Sequence, residues 1–241
     1  MRRVSDAREH LDGALSDRAT LVGNLRDLRR INSTFGGAEL SIRAMRALVG
    51  QAAPPALSGI DTIRVLDVGT GAADIPARML PARGSWRAVH VTATDSRPEV
   101  IEAAQLLEPS LAEEPNLSLE VADGRSLPYP DGAFDVAHAS LVLHHLDPDG
   151  AVAFLRELRR VARIGVVLND LDRSRLGWLG AWLILHAITR NRFTLHDGPL
   201  SVRRAYRRAE ARDLLRTAGL RPVREEVGIA GHRWAIAAVP R

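Results

Sequence analysis

The 241-residue sequence contains no cysteine and no lysine. The first absence excludes disulfides and thiolate metal sites, and nothing argues for an oxidising compartment. The second excludes a Gly-Lys-Ser/Thr phosphate loop. All 33 basic residues are therefore arginine, set against 29 acids, for a net charge of only +4. The pI near 10.6 reflects a guanidinium that stays charged to very high pH, and it carries no argument for a nucleic-acid partner. Long apolar runs are also missing. Leu176 to Ile188, which includes His186, is shorter than the ~20 residues that cross a bilayer. The start, Met1-Arg2-Arg3-Val4-Ser5-Asp6, has no apolar signal-peptide core. A soluble, cytoplasmic chain with one core is expected from an ordinary 46% apolar content.

What is present centres on Arg64-Val65-Leu66-Asp67-Val68-Gly69-Thr70-Gly71-Ala72-Ala73-Asp74. An apolar run, two glycines one residue apart and Pro76 just beyond read as strand, tight turn and helix start. Such a turn lets a ligand approach bare backbone and offers N–H groups at a helix N-terminus.

Ahead of it, residues 1–16 read as a loose polar lead. Ser16-Asp17 starts a helix through Leu21, Leu25, Leu28 and Ile31, whose other face, Arg26, Asp27, Arg29 and Arg30, is either solvated or a lid facing substrate. Gly36-Gly37 ends it, a second helix spans 38–48, and Pro54 to Gly59 is a linker. Strands are expected at 63–67, 88–94, 117–121, 134–139 and 165–168. Helices lie between them at 73–80, stopping near Pro81 and Gly84, at 98–107, where Ser96 and Glu99 form a capping box around Pro98, and from 148 onward. A helical insertion, 176–188, precedes a loop, 191–201, and a helix, 205–217. Residues 222–229 and 233–239 form a hairpin at the sheet edge. The expected division is an N-terminal helical segment, 1–59, on the substrate side, and a domain, 60–241, with an insertion at about 172–206.

Five strand–helix alternations imply a parallel sheet covered on both faces, with ligands at the carboxyl ends of the strands. Asp67, Asp95, Asp123, His138/Ser140 and Asn169 stand at those ends and should form one rim. A dinucleotide fits badly, because Asp67 repels phosphate and G-x-G-x-x-G fails at Asp74. A cationic amino-acid end, a ribose and an adenine suit the three acids better.

The landmarks Leu66-Asp67-Val68-Gly69-Thr70-Gly71, Asp95, Asp123-Gly124 and Phe134-Asp135-Val136 leading to Leu143-His144-His145-Leu146 together resemble class I S-adenosylmethionine-dependent methyltransferases. The resemblance is nearest to the small-molecule subgroup that includes ubiquinone/menaquinone C-methyltransferases, and it covers roughly residues 60–170 and the terminal hairpin. It implies an α/β fold: a seven-stranded, Rossmann-like, mostly parallel sheet with helices on both faces and a C-terminal antiparallel hairpin. It also implies that Asp67, Gly69, Thr70 and Gly71 hold the methionine end of S-adenosylmethionine, that Asp95 takes the ribose and that Asp123 and Gly124 take the adenine. Ser140 would lie near the sulfonium. Arg163-Ile164-Gly165 replaces the family's Pro-Gly-Gly turn, and Asp74 stands where glycine is frequent.

Methyl transfer from a sulfonium needs alignment and exclusion of water more than a base. Where the acceptor must lose a proton, His144 and His145 are the candidate bases, one facing the cleft and the other packing or capping. No metal is expected. Trp178, Trp182, Ile184 and Phe193 are expected to close an apolar cleft over a quinone, polyketide, phenol or lipid-like acceptor. Asn/Asp-Pro-Pro-Tyr, the mark of nucleic-acid amino methylation, is absent. The rival readings are an RNA or protein methyltransferase, which needs Arg26–Arg30 and Arg203–Arg212 to form one stripe, an NAD(P)-dependent oxidoreductase, and a non-catalytic binding protein.

Overall fold

The computed structural model describes residues 1–15, 17–51, 62–80 and 88–241. Helices α1, Arg18–Thr34, and α2, Gly37–Gln51, come first. They are followed by β1 Thr62–Val68, α3 Asp74–Met79, β2 Ala88–Asp95, α4 Pro98–Leu107, β3 Leu117–Val121 and β4 Phe134–Ser140. Next are α5 Pro148–Val161, β5 Ala162–Leu171, α6 Arg175–Ile188, α7 Arg192–Arg204 and α8 Arg208–Thr217. The antiparallel pair β6 Leu220–Val227 and β7 Arg233–Pro240 closes the order. One seven-stranded sheet results, β3-β2-β1-β4-β5-β7-β6. β1 to β5 are parallel, and β7 runs antiparallel between β5 and β6.

The central strands are almost continuously apolar because helices cover both faces. On one face α2 lays Leu40, Met45 and Leu48 over Val65, Val91, Val167 and Ala237. On the other, α5 lays Phe154, Leu155 and Leu158 over Leu66, Ala137 and Val166, beside the fully buried Trp234. Asp147 starts α5 by accepting from the Gly150 N–H at 2.7 Å, with Pro148 in the first turn. A smaller cluster joins Leu21 and Leu25 of α1 to Ala72, Val100, Ala103 and Phe193. It puts α1 over the glycine turn.

Several expectations change on the structure. The lead is tied down: Arg3 donates to the carbonyls of Arg204 and Leu146, and the His10 N–H donates to Asp197. Asp27 belongs to no solvated face; it is buried and accepts from Thr189 and Thr194. Ser96 does not cap α4: Arg97 stands at the N-cap, with no side-chain cap bond. The loop expected at 191–201 is helix α7. Asn191 caps it through the Phe193 and Thr194 N–H groups, and burial of Phe193, Leu200 and Val202 offsets an interior Pro199 that costs about 3 kcal/mol. β5 starts at Ala162, so Arg163-Ile164-Gly165 is strand rather than turn. The linker Pro54 to Gly59, the stop near Pro81 and Gly84, Ser16 and the boundary at 59/60 lie outside the described residues.

Candidate active site

The turn after β1 holds Gly69 at φ +74°, Gly71 at φ +54° and Ala73 at φ +53°. Its N–H groups do not form an open anion cradle. Gly69 and Thr70 both donate to the Thr94 carbonyl at 2.8 Å, and Gly71 donates to Asp95 Oδ2 at 3.3 Å. The left-handed strain falls on Ala73, and Asp74 is the first residue of α3.

The two glycines answer different demands. A Cβ on Gly69 would lie 2.4 Å from Val142 Cγ2, so packing forbids a side chain there. A Cβ on Gly71 would meet nothing nearer than Leu25 Cδ2 at 3.9 Å. Bare backbone at Gly71 therefore faces space that no neighbouring side chain requires. Beside it, Thr70 Oγ1 is buried without a hydrogen-bond partner. Across from it, Asp95 also accepts from the Arg97 N–H at 3.1 Å, and burial raises its carboxyl above the ordinary aspartate range.

The strand order sets Asp123, Asp95, Asp67, Ser140 and Asn169 side by side at the carboxyl ends of β3, β2, β1, β4 and β5. Their side chains do not all face one space. Asp67 Oδ1 accepts from His138 Nδ1 at 2.5 Å, and His138 Nε2 lies 2.8 Å from Ser41 Oγ of α2. Asn169 Nδ2 donates to the same Ser41 hydroxyl, and Asn169 Oδ1 accepts from Arg233 Nε at 2.6 Å. Arg233 further donates to Asn32 Oδ1 and Ser140 Oγ, each at 2.7 Å, and Asn32 Nδ2 donates to Asp74. The guanidinium is 3% exposed, and desolvation pulls it down to about 10 while Asp170 and Asp74 oppose the shift. Gly37 leaves room for it, since a Cβ there would stand 2.4 Å from Arg233 Nη1.

Asp123 lies on the surface, where Arg125 closes onto its carboxylate at 2.8 Å and holds it below the usual range. Gly124 is bare because a Cβ would strike Val68 and Phe154. Beyond β4, Leu141 takes φ +59°, a strained turn that leads into the short helix Leu143–His145. His144 is buried with Nδ1 2.7 Å from Asp170, and His145 is partly exposed with Nδ1 2.7 Å from Asp12. The Nε2 atoms of both rings face Glu9, at 3.7 Å for His144 and 3.8 Å for His145. Asn169 and Asp170 are likewise spent on internal bonds. Of the expected cleft residues, Phe193 is buried near the turn and Trp178 is half-buried, whereas Trp182 and Ile184 are exposed on α6.

Asn32, Ser41, Glu9, Asp12 and Arg233 were not legible as site residues. Arg233 alone had a local signal, a single charge at the head of an otherwise apolar strand.

Residues 65–165 match the family described as Methyltransferase domain. That match covers the glycine turn, Asp95 and the end of β4. This segment is similar to methyltransferase domains. The chain is 37% identical over 80 residues to ajmaline N-methyltransferase of Rauvolfia serpentina, covering 32% of this chain and 27% of that protein. It is 30% identical over 111 residues to the ubiquinone/menaquinone biosynthesis C-methyltransferase of Geobacter sp. (strain M21), covering 46% of each. The alignments thus span less than half of either relative. A crystal structure of a SAM-dependent methyltransferase from Aquifex aeolicus superposes with a TM-score of 0.62 over 91% of this chain and 98% of that one, at 20% identity, and so shares the fold. The methyltransferase class uses S-adenosylmethionine, and the residues present fit it: open backbone at Gly71, an unpartnered Thr70 hydroxyl and a shielded Asp95 carboxylate stand together. No described helix is long and apolar enough to cross a membrane.

Proposed function

We propose that this chain transfers a methyl group from S-adenosylmethionine to a small, apolar or aromatic acceptor. The observation that carries the reading is the bare, outward-facing backbone at Gly71 beside Asp95. The cofactor supplies a methyl already activated on a sulfonium. In the transfer, a lone pair of the acceptor forms the bond to the methyl carbon as the carbon–sulfur bond breaks, and the sulfur leaves neutral.

The chain's part is to bind, align and keep water out. Asp95, anchored at the end of β2 by two backbone N–H groups, takes the ribose hydroxyls. Gly69, Thr70 and Gly71 flank the methionine end. The Asp67 carboxylate, already held by His138, supplies negative charge beneath the turn rather than a free hydrogen-bonding arm. Asp123 and Gly124 border the adenine, for which Arg125 must release the Asp123 carboxylate. Ser140, fixed by Arg233, stands at the acceptor side. Leu21, Leu25 and Phe193 over the turn favour an apolar acceptor. Because the Nε2 atoms of His144 and His145 face the buried Glu9, no side-chain base is assigned, and the acceptor loses its proton to water or enters already ionised.

An RNA substrate would call for a continuous basic face. Of the arginines on α7 and α8, Arg204 is instead drawn into an ion pair with Asp12, and Arg212 into one with Glu225.

S-adenosylhomocysteine at a hundred times its Kd stabilises a binding domain by about 2.7 kcal/mol, a rise in Tm of roughly 5–10 °C at this size. That rise is expected here, with none from NAD(H) or NADP(H). Asp95→Ala is expected to remove most of it, and to lower the unliganded melting temperature as well, because the Gly71 and Arg97 N–H groups lose their acceptor. A rise confined to the nicotinamides would overturn the reading.

A further inference from the structure

The N-terminal segment crosses the ends of β4 and β5 and sets Glu9 between two adjacent imidazoles. Glu9 is 3% exposed, and its Oε1 is buried without a hydrogen-bond partner, whereas Oε2 accepts from Ser201 Oγ at 2.9 Å. His144 Nε2 lies 3.7 Å from Glu9 Oε1, and His145 Nε2 lies 3.8 Å from Glu9 Oε2. Both separations are too long for hydrogen bonds. The opposite ring nitrogens are fixed by carboxylates, Nδ1 of His144 by Asp170 and Nδ1 of His145 by Asp12, each at 2.7 Å. A neutral imidazole that donates from Nδ1 to a carboxylate presents its Nε2 lone pair on the far side, as metal-ligating histidines do.

One ligand atom from each of Glu9, His144 and His145 falls within 4.8 Å of the others. Two ligands of a tetrahedral zinc, each about 2.1 Å from the ion, stand roughly 3.4 Å apart. Seating the ion would draw the widest pair together by up to about 1.4 Å.

The local charge agrees. Glu9, Asp12, Asp170 and Asp197 supply four carboxylates; Arg204 faces them, bonded to Asp12 Oδ2 at 2.6 Å and to the His145 carbonyl at 3.0 Å, while Arg3 donates to the His144 carbonyl and Arg233 acts on Asp170. Arg204 also comes within 3.6 Å of Glu9 Oε1 without replacing a hydrogen bond there. The carboxylates outnumber the guanidiniums, an excess that a divalent cation would offset. We propose that Glu9, His144 and His145 bind one divalent transition-metal ion, zinc by ligand type, which clips the N-terminal segment to the strand ends. Two imidazoles and a carboxylate suit zinc over magnesium or calcium, and they leave a fourth position for water. This departs from the expectation of no metal, and it stands whether or not the chain transfers methyl groups.

The test uses the full chain, stripped with a chelator, dialysed and titrated with zinc alone against a chromophoric competitor. One equivalent is expected, together with a higher Tm. The isosteric Glu9→Gln should weaken binding by about 100-fold or more. Asp12→Asn, which removes only the orienting partner, should weaken it by roughly 10–100-fold. Circular dichroism establishes that each variant is folded. His10, His196 and Asp197 form a second trio, with His10 and His196 more exposed, and His196→Ala should leave the affinity unchanged. Uptake well below one equivalent, equal affinity in wild type and Glu9→Gln, or loss of zinc on His196→Ala would each overturn the proposal.

Discussion

Gly71→Val is expected to weaken S-adenosylhomocysteine binding by about 100-fold or more, equivalent to roughly 2.7 kcal/mol. The physical reason lies in the space above that residue. A side chain at Gly71 meets almost nothing of the protein, so the valine would project where the proposed ligand lies. The backbone at φ +54° adds a folding cost of about 1–3 kcal/mol for a β-branched residue. Isothermal titration reads the affinity, and urea unfolding reads the stability. Gly69→Ala gives the contrasting outcome, because Val142 obstructs the new methyl and the loss falls mainly on stability. Affinity in Gly71→Val equal to that of the unaltered chain would remove the turn from the binding site.

Arg233→Met is expected to destabilise the fold by about 3–5 kcal/mol, a large share of the 5–15 kcal/mol typical of a domain. The substitution keeps most of the side-chain volume. It leaves Asn169 Oδ1, Asn32 Oδ1 and Ser140 Oγ without their donor and leaves Asp74 and Asp170 without the nearby positive charge. Urea denaturation with an unchanged m-value would register this as lost stability rather than as an altered unfolded state. A loss under about 1 kcal/mol would mean that the guanidinium costs nearly as much to bury as its bonds return.

Both residues bear on how much the sequence disclosed. Gly71 was legible because the apolar run, the paired glycines and the acids at successive strand ends are local patterns, and parallel topology carries them to one edge. The parallel direction of β1 to β5 followed from the same alternation. Arg233 was not legible as part of the site, because its partner Asn32 is 201 positions away. Glu9 looked solvated for the same reason. A glutamate is buried only where distant groups receive it, and Ser201, His144 and His145 are contributed by other elements. Gly198-Pro199 is a sound local signal for a loop, and it was overridden by burial along α7. α6 misled in the opposite sense. Its apolar sequence suggested a cleft wall, yet only Leu185 of that helix is buried.

The polar chain through Arg233 has a consequence for how the molecule opens. From Asp67 it passes through His138, Ser41, Asn169, Arg233 and Asn32 to Asp74, so β1, β4, α2, β5, β7, α1 and α3 share one run of hydrogen bonds. Helices that precede the first strand are thereby bound to the fate of the last. In native-state hydrogen exchange, the slowest amides of α2 and of β7 should open with the same free energy and the same denaturant dependence, as one cooperative unit. Exchange of α2 through a separate, lower-energy opening would show that the run yields at Ser41.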